Sequence, residues 1–579
     1  MKRSRLNELP TSRTMVDLFK GYNHNLRIGE GEFYDMTNLS SDNYPVLCPR
    51  QKRGVYATPS DPKGLVAKDA LCFVDGSDFV INEYRVPMGL VVNDEPKTLI
   101  SMGAYVIIMP DKMYINTADL TDYGNIEATV KTASTVKFEL CKYDGEGYAV
   151  TATQPTPPEA PTNMALWIDT SSVPHTLKQY SASNAMWVSI ATTYIKISAT
   201  GIGKPFSEGD GVTISGINDS ALSDLNNTMI VWAKGDDYIV VTGILDQVTT
   251  QEEAITVKRQ MPVMDFVIES GNRLWGCRYG PDINGNIVNE LYASKLGDFK
   301  NWNSFAGIST DSYAVTVGSD GQFTGAISYL DFPMFFKENC LHKVYGKFPA
   351  EFRVQDTTCR GVQKGCDKSL AIVNEILYYK ARSGVCVFDG SLPSEISSAF
   401  GDMNYHDAVA GSLGNKYYIS MSDDNEKWHL FVFDTLKGMW HREDNTQAVC
   451  FCNCRGDLYY IDFSDNQIKT VRGTGDTETT PIQWEAVTGI MGTDSPDKKY
   501  ISRIDVRMLL QVGTRVTFFA EYDSSGVWEH LYAADGVNLK TFAVPVRTKR
   551  CDHMRLRIIG TGDAKIFSIC KTVEQGSDR

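Results

Sequence analysis

Few windows of this chain keep apolar residues at i, i+3, i+4 and i+7 for three turns, so long amphipathic helices are not expected. The helix candidates are short: Met15 to Phe19 and Ala221 to Leu225. Apolar and aromatic strands recur instead, broken by Gly, Asn and Asp every ~8–12 residues. Asp265 to Arg278 (DFVIESGNRLWGCR) reads as strand, Gly-Asn turn, strand. Ile327 to Tyr345, Ala371 to Gly390, Val409 to Trp440 and Val449 to Ile468 repeat the unit. Ala70 to Tyr84 and Thr98 to Ile115 fit it upstream. The period of roughly 40 residues is that of a four-stranded propeller blade.

These units predict an all-β protein: a β-propeller of about seven blades with inserted small β-domains and a C-terminal β-sandwich. A ring needs its first and last blades together, so the gap between the second and third units reads as an insertion. The expected boundaries are an N-terminal arm at 1–54, first blades at 55–118, inserted β-modules at 119–260, remaining blades at 261–478 and the sandwich at 479–579. Within the insertion, Gln154 to Pro161 (QPTPPEAP) reads as a stiff linker at 154–161, because proline cannot donate to a central ladder. Ile501 to Leu510, Arg515 to Tyr522 and Met554 to Ile559 alternate polar and apolar, the pattern of a sheet with one wet face. The arm carries Tyr22, Leu26, Phe33, Tyr34 and Leu39 without a periodic face. It is expected to pack on the propeller edge or on a neighbouring subunit.

Composition narrows the function classes. At 579 residues the chain holds several domains, and 42% hydrophobic with 22% charged residues is globular. With 57 Lys+Arg against 71 Asp+Glu the net charge is −14, which argues against a protein whose main task is gripping nucleic acid. The N-terminus has no apolar stretch after its basic residues, and no segment has the length of a membrane helix; the expectation is no secretory signal and no membrane span. The 13 cysteines are read as reduced.

Candidate chemistry is thin. Cys450, Cys452 and Cys454 alternate on one strand face, whereas zinc sites favour Cys pairs spaced two to four apart in a turn, so packing on the next blade is expected. Gly201-Ile202-Gly203-Lys204 lacks the spacing of a phosphate loop and reads as a turn. Ser422-Asp423-Asp424-Asn425-Glu426-Lys427-Trp428 approximates one sialidase-type turn, with Glu in place of Gly and Trp one residue early. Trp167, Trp187 and Trp232 are candidate sugar-stacking rings, read as core anchors. The basic clusters Arg50-Gln51-Lys52-Arg53 and Arg547-Thr548-Lys549-Arg550 are read as solvated faces or subunit contacts. No catalytic, cofactor-binding or metal residue is assigned, and the expectation is that the chain is not an enzyme.

Several strings resemble a known family. Phe19 to Gly54, with Pro45-Val46-Leu47-Cys48-Pro49-Arg50, is similar to the N-terminal arm of the tail nozzle, or packaged-DNA stabilisation, proteins of short-tailed phages. Gly361 to Gly390 looks like one of their blades, with Ser383 where the pattern has Asp, and KKYISRIDVRMLL and RCDHMRLRI look like their C-terminal region. The insertion is not covered closely. The resemblance implies a structural virion protein, assembled in the host cytoplasm. It would form a homo-oligomeric ring, usually a hexamer, below the portal and adaptor, among other tail proteins such as fibres, in transient contact with viral DNA. It implies no catalysis and no cofactor. The alternative is a tail-tip or baseplate propeller that binds a host-surface glycan.

Overall fold

The computed structural model describes residues 11–282, 284–473, 475–492, 498–546 and 549–575. Among them the regular structure is strands, with four short 3-10 turns and no α-helix. The chain divides into two compact units: Met1–Leu99, Phe336–Leu341 and Thr357–Arg579 in the first, Ile100–Phe335 and His342–Asp356 in the second.

The fold is a β-propeller with seven blade sheets. The first unit holds four-stranded sheets at 62–87 and 371–395, a four-stranded blade at 405–442 that is part of a larger sheet, and a further blade at 448–470. The second holds blades at 98–125 and 266–316. The sheet at 323–358 counts with the second unit apart from residues 336–341 and 357–358. Two-residue turns make the hairpins: Asn82-Glu83, Leu330-Asp331 and Asn374-Glu375 each have positive φ at both central positions, the geometry that matches strand twist. Blade-centre strands such as Leu71–Asp75 are buried along their whole length.

The last blade is completed by the start of the chain. Ile468–Thr470 pairs with Gly54–Ala57, Thr470 opposite Gly54. First and last blades then pack through Leu71, Phe73, Tyr459 and Ile461. In the second unit Ile107, Leu274, Phe299 and Trp302 fill the space between the blades at 98–125 and 266–316.

The insertion is two modules. One is a sandwich of a four-stranded and a five-stranded sheet over a core of Phe138, Ile197, Ile214, Leu222, Val241 and Val257. The other is a four-stranded sheet at 152–189. The insertion begins later than the expected residue 119, because Tyr123–Asn125 is the outer strand of a blade, paired with Met113–Asn116. Insertion strands start at Ala128, which pairs with Arg259. The proline stretch at 154–161 is no linker between modules: Ala152–Gln154 and Leu166–Asp169 pair in parallel on either side of it, so it is a crossover loop within one sheet.

The arm is corrected too. It does pack on a propeller edge, through Gly21–Tyr22 against Met439–Arg442, but it is not a separate region, because its other strands belong to the C-terminal sandwich. Thr11–Val16, where a short helix over Met15 to Phe19 was expected, is a strand paired with the C-terminal strand, Met15 opposite Cys570. Glu32–Thr37 pairs with Gln483–Thr488 in the other sheet. Gly21–Tyr22 lies between Glu32–Thr37 and Met439–Arg442, so that the blade at 405–442 and one sandwich sheet become a single ten-stranded sheet. The expected helix at Ala221 to Leu225 is the 3-10 turn Ser220–Leu225.

Candidate functional site

The basic cluster at 50–53 is not a solvated face. Arg53 is buried and donates to Glu443 at 2.7 Å and Asp444 at 2.9 Å. Arg50 forks onto Glu478 at 2.9 and 3.1 Å and donates to Asn38 at 2.8 Å. Burial raises the Asp444 carboxyl, but Arg53 and Arg50 outweigh it and hold the group down at about 2. Glu443 is pushed above its ordinary value by burial, which Arg53 only partly offsets. The guanidinium and carboxylate planes tie the segment entering the closing strand to the loop between the last two blades. Beside them lies a cavity of about 330 Å³ lined by Asp42, Arg50, Lys416, Asp434, Lys437 and Arg472. Lys416 is held there by Asp42 at 2.6 Å. Of the second basic cluster, Arg547 and Thr548 lie outside the described residues. Lys549 sits 5.3 Å over the Tyr522 ring and Arg550 5.7 Å over Tyr500.

A cavity of about 920 Å³ lies in the insertion. Its floor is apolar, with Leu177, Ile195, Leu222 and Leu245. Its rim carries His175, Asp219, Ser220, Asp224 and Asp246. His175 Nδ1 lies 2.7 Å from Asp246 Oδ1, which fixes the ring and leaves Nε2 for a ligand. Asp219 caps the 3-10 turn by accepting from the Ala221 N–H at 2.9 Å. An apolar floor with a few convergent polar groups is the build of a small-ligand site.

The three tryptophans sit elsewhere. Trp167 is buried and donates to the Gln154 carbonyl at 2.8 Å, with Trp187 at 5.3 Å. Trp232 is 41% exposed against Tyr194. Cys450, Cys452 and Cys454 pack with Leu65 and Ala67 of the first blade, and burial pushes the Cys450 thiol up to about 11. None of the thirteen cysteines is joined in a disulfide. Among the described residues no group of three His, Cys, Asp or Glu is placed to hold a metal. Gly203 lies in a turn where a Cβ would strike the Gly235 carbonyl, a close-approach glycine rather than a phosphate loop. In the turn 422–428, Asp423 accepts from the backbone N–H groups of Asn425 and Lys427 at 2.9 and 3.0 Å and bonds His429 at 3.0 Å. Its carboxylate holds the hairpin. No helix among the described residues is long and apolar enough to cross a membrane.

Neither a protein-family profile nor a characterised protein matches the chain. Solved structures do. An exo-β-1,3-galactanase from Phanerochaete chrysosporium is 9% identical over 53% of this chain and 94% of that one, with a TM-score of 0.22. An engineered glycoside hydrolase with endo-xylanase and exo-arabinofuranosidase activity is 10% identical over 54% and 96%, TM-score 0.20. A Trypanosoma rangeli sialidase is 9% identical over 91% and 96%, TM-score 0.22. The expectation that this chain is no enzyme is corrected on this finding, since these matches are glycoside hydrolases and a sialidase. At these scores they assign it neither an activity nor a residue.

Proposed function

We propose that the chain is a subunit of a virion tail ring, a nozzle that conducts and retains packaged DNA. The observation that carries this reading is the coincidence of the family-like strings with the joints of the fold. Pro45 to Arg50 leads into the closing strand, and Arg50 and Arg53 are its buried ties. The arm joins a blade and the sandwich in one ten-stranded sheet. A continuous hydrogen-bonded sheet suits a wall that must hold its shape against a moving polyanion. The net charge of −14 suits one that must not grip it. The partners on this reading are further copies of the chain in a ring, six by family resemblance, an adaptor above and fibres alongside.

A second reading has its own support. The insertion's cavity, with His175 and three carboxylates on its rim, has the size and polarity to take a saccharide. A tail-tip propeller that binds a host-surface glycan would place that cavity outward. Imaging of purified particles, with the protein labelled, tests the first reading. Binding to a panel of immobilised glycans, lost in His175→Ala, tests the second.

A further inference from the structure

Three residues that no motif groups together meet in the second unit. Ser319 lies in the connection between the strands Tyr313–Thr316 and Phe323–Tyr329. His342 is on Cys340–Tyr345 and Asp356 on Arg353–Thr358. Ser319 Oγ is 2.7 Å from His342 Nε2, and His342 Nδ1 is 2.5 Å from Asp356 Oδ1. A carboxylate on Nδ1 fixes the proton there and leaves the Nε2 lone pair facing the serine hydroxyl. This is the order of contacts of a hydrolytic triad, which is recognised by geometry and not by sequence position.

The surroundings hold the arrangement still. The imidazole is fully buried, with the Phe323 ring edge-on at 5.9 Å. The Asn289 side-chain amide donates to the carbonyls of Val317 and Ser319 at 2.8 and 2.6 Å and clamps the loop that carries the serine. A Cβ built on Gly318 or Gly321 would meet nothing within 4 Å apart from its own chain neighbours. The loop that carries the serine is thus held from behind by Asn289.

We propose that Ser319, His342 and Asp356 form an esterase-type site for small acyl esters. Ser319 Oγ bonds to the acyl carbon while its proton passes to His342 Nε2. The carbon–oxygen bond to the alcohol breaks, and the departing alkoxide takes the proton from His342. Water then attacks the acyl-serine, giving its proton to His342, and the acid leaves as Oγ regains a proton. Asp356 holds the tautomer and balances the imidazolium. A similar set on the exposed turn after Arg515–Tyr522, with Ser524 Oγ 2.7 Å from His553 Nε2 and Asp552 2.9 Å from Nδ1, lacks this enclosure.

The test is labelling of the full-length folded chain with a fluorophosphonate probe, mapped by peptide mass spectrometry, alongside hydrolysis of p-nitrophenyl acetate. The expected result is label on Ser319. Label and hydrolysis should be lost in Ser319→Ala and slowed at least ~100-fold in His342→Gln, the scale of a positioned general base. Both should be unchanged in Ser524→Ala. An unlabelled Ser319 in wild-type protein that melts cooperatively overturns the proposal. So does label confined to Ser524, or label on Ser319 at an equal rate in a folded His342→Gln.

Discussion

Arg53 and Glu443 are buried against each other at 2.7 Å, although 390 residues separate them in the chain. Each is among the least exposed charged groups of the first unit, and the pair sits where the closing strand enters the last blade. Removing one partner strands the other in a nearly buried site. Arg53→Ala is expected to cost roughly 3–5 kcal/mol in urea unfolding, with Glu443→Gln costing less because the amide still accepts a hydrogen bond. A loss below about 1 kcal/mol in Arg53→Ala, the size of an exposed pair, would show that the closure does not depend on it.

Gly21 has φ +84, and a Cβ there would run into the Trp440 carbonyl. Gly21→Ala should therefore disturb the seam where Tyr22 joins Trp440, at a cost of about 1–3 kcal/mol. Circular dichroism melts of the variant check this. An unshifted midpoint would mean that the seam yields freely.

His441 is buried and its imidazole is held down at about 3, first by burial and then by Lys416. Its folded value lies below its unfolded one of about 6.5, so the unfolded chain takes up a proton that the folded chain refuses. The stability it contributes is complete above pH ~6.5 and is lost as pH falls towards 3. Between pH 6.5 and 5 the loss is ~2 kcal/mol. Asp444, held at about 2, loses its contribution in the same direction but only below its unfolded value of about 3.8. Urea midpoints of His441→Gln should fall less steeply than wild type between pH 6.5 and 5. Parallel slopes would contradict the assignment.

Because Ala128 and Arg259 are paired neighbours, excising 128–259 and joining the ends by a short turn should leave the blades folded. Excising 119–260 also removes Tyr123–Asn125 and the buried Ile126, and should lower the melting temperature further. The comparison of the two deletions by calorimetry locates the boundary. Equal stability would place it at 119 after all.

The blades were legible because each announces itself locally, by alternating apolar residues and turns such as Asn374-Glu375 that need positive φ. What was illegible depends on partners distant in sequence. Gly54–Ala57 is four residues long and completes a blade whose other strands begin at Ala448. Thr11–Val16 is a strand because the C-terminal strand offers it a ladder, and its own exposed residues carry no sign of that. Arg50 and Arg53 looked like a basic surface patch, since Glu443, Asp444 and Glu478 lie hundreds of residues away. Ser319, His342 and Asp356 stand on three different segments, and only the blade geometry brings them into line.

The tail-ring reading is tested most directly by electron microscopy of the purified protein and of virus particles carrying a label on it. The account predicts closed rings with a central channel, and label at the distal end of the tail. A protein that stays monomeric at micromolar concentration and is absent from the particle would contradict it.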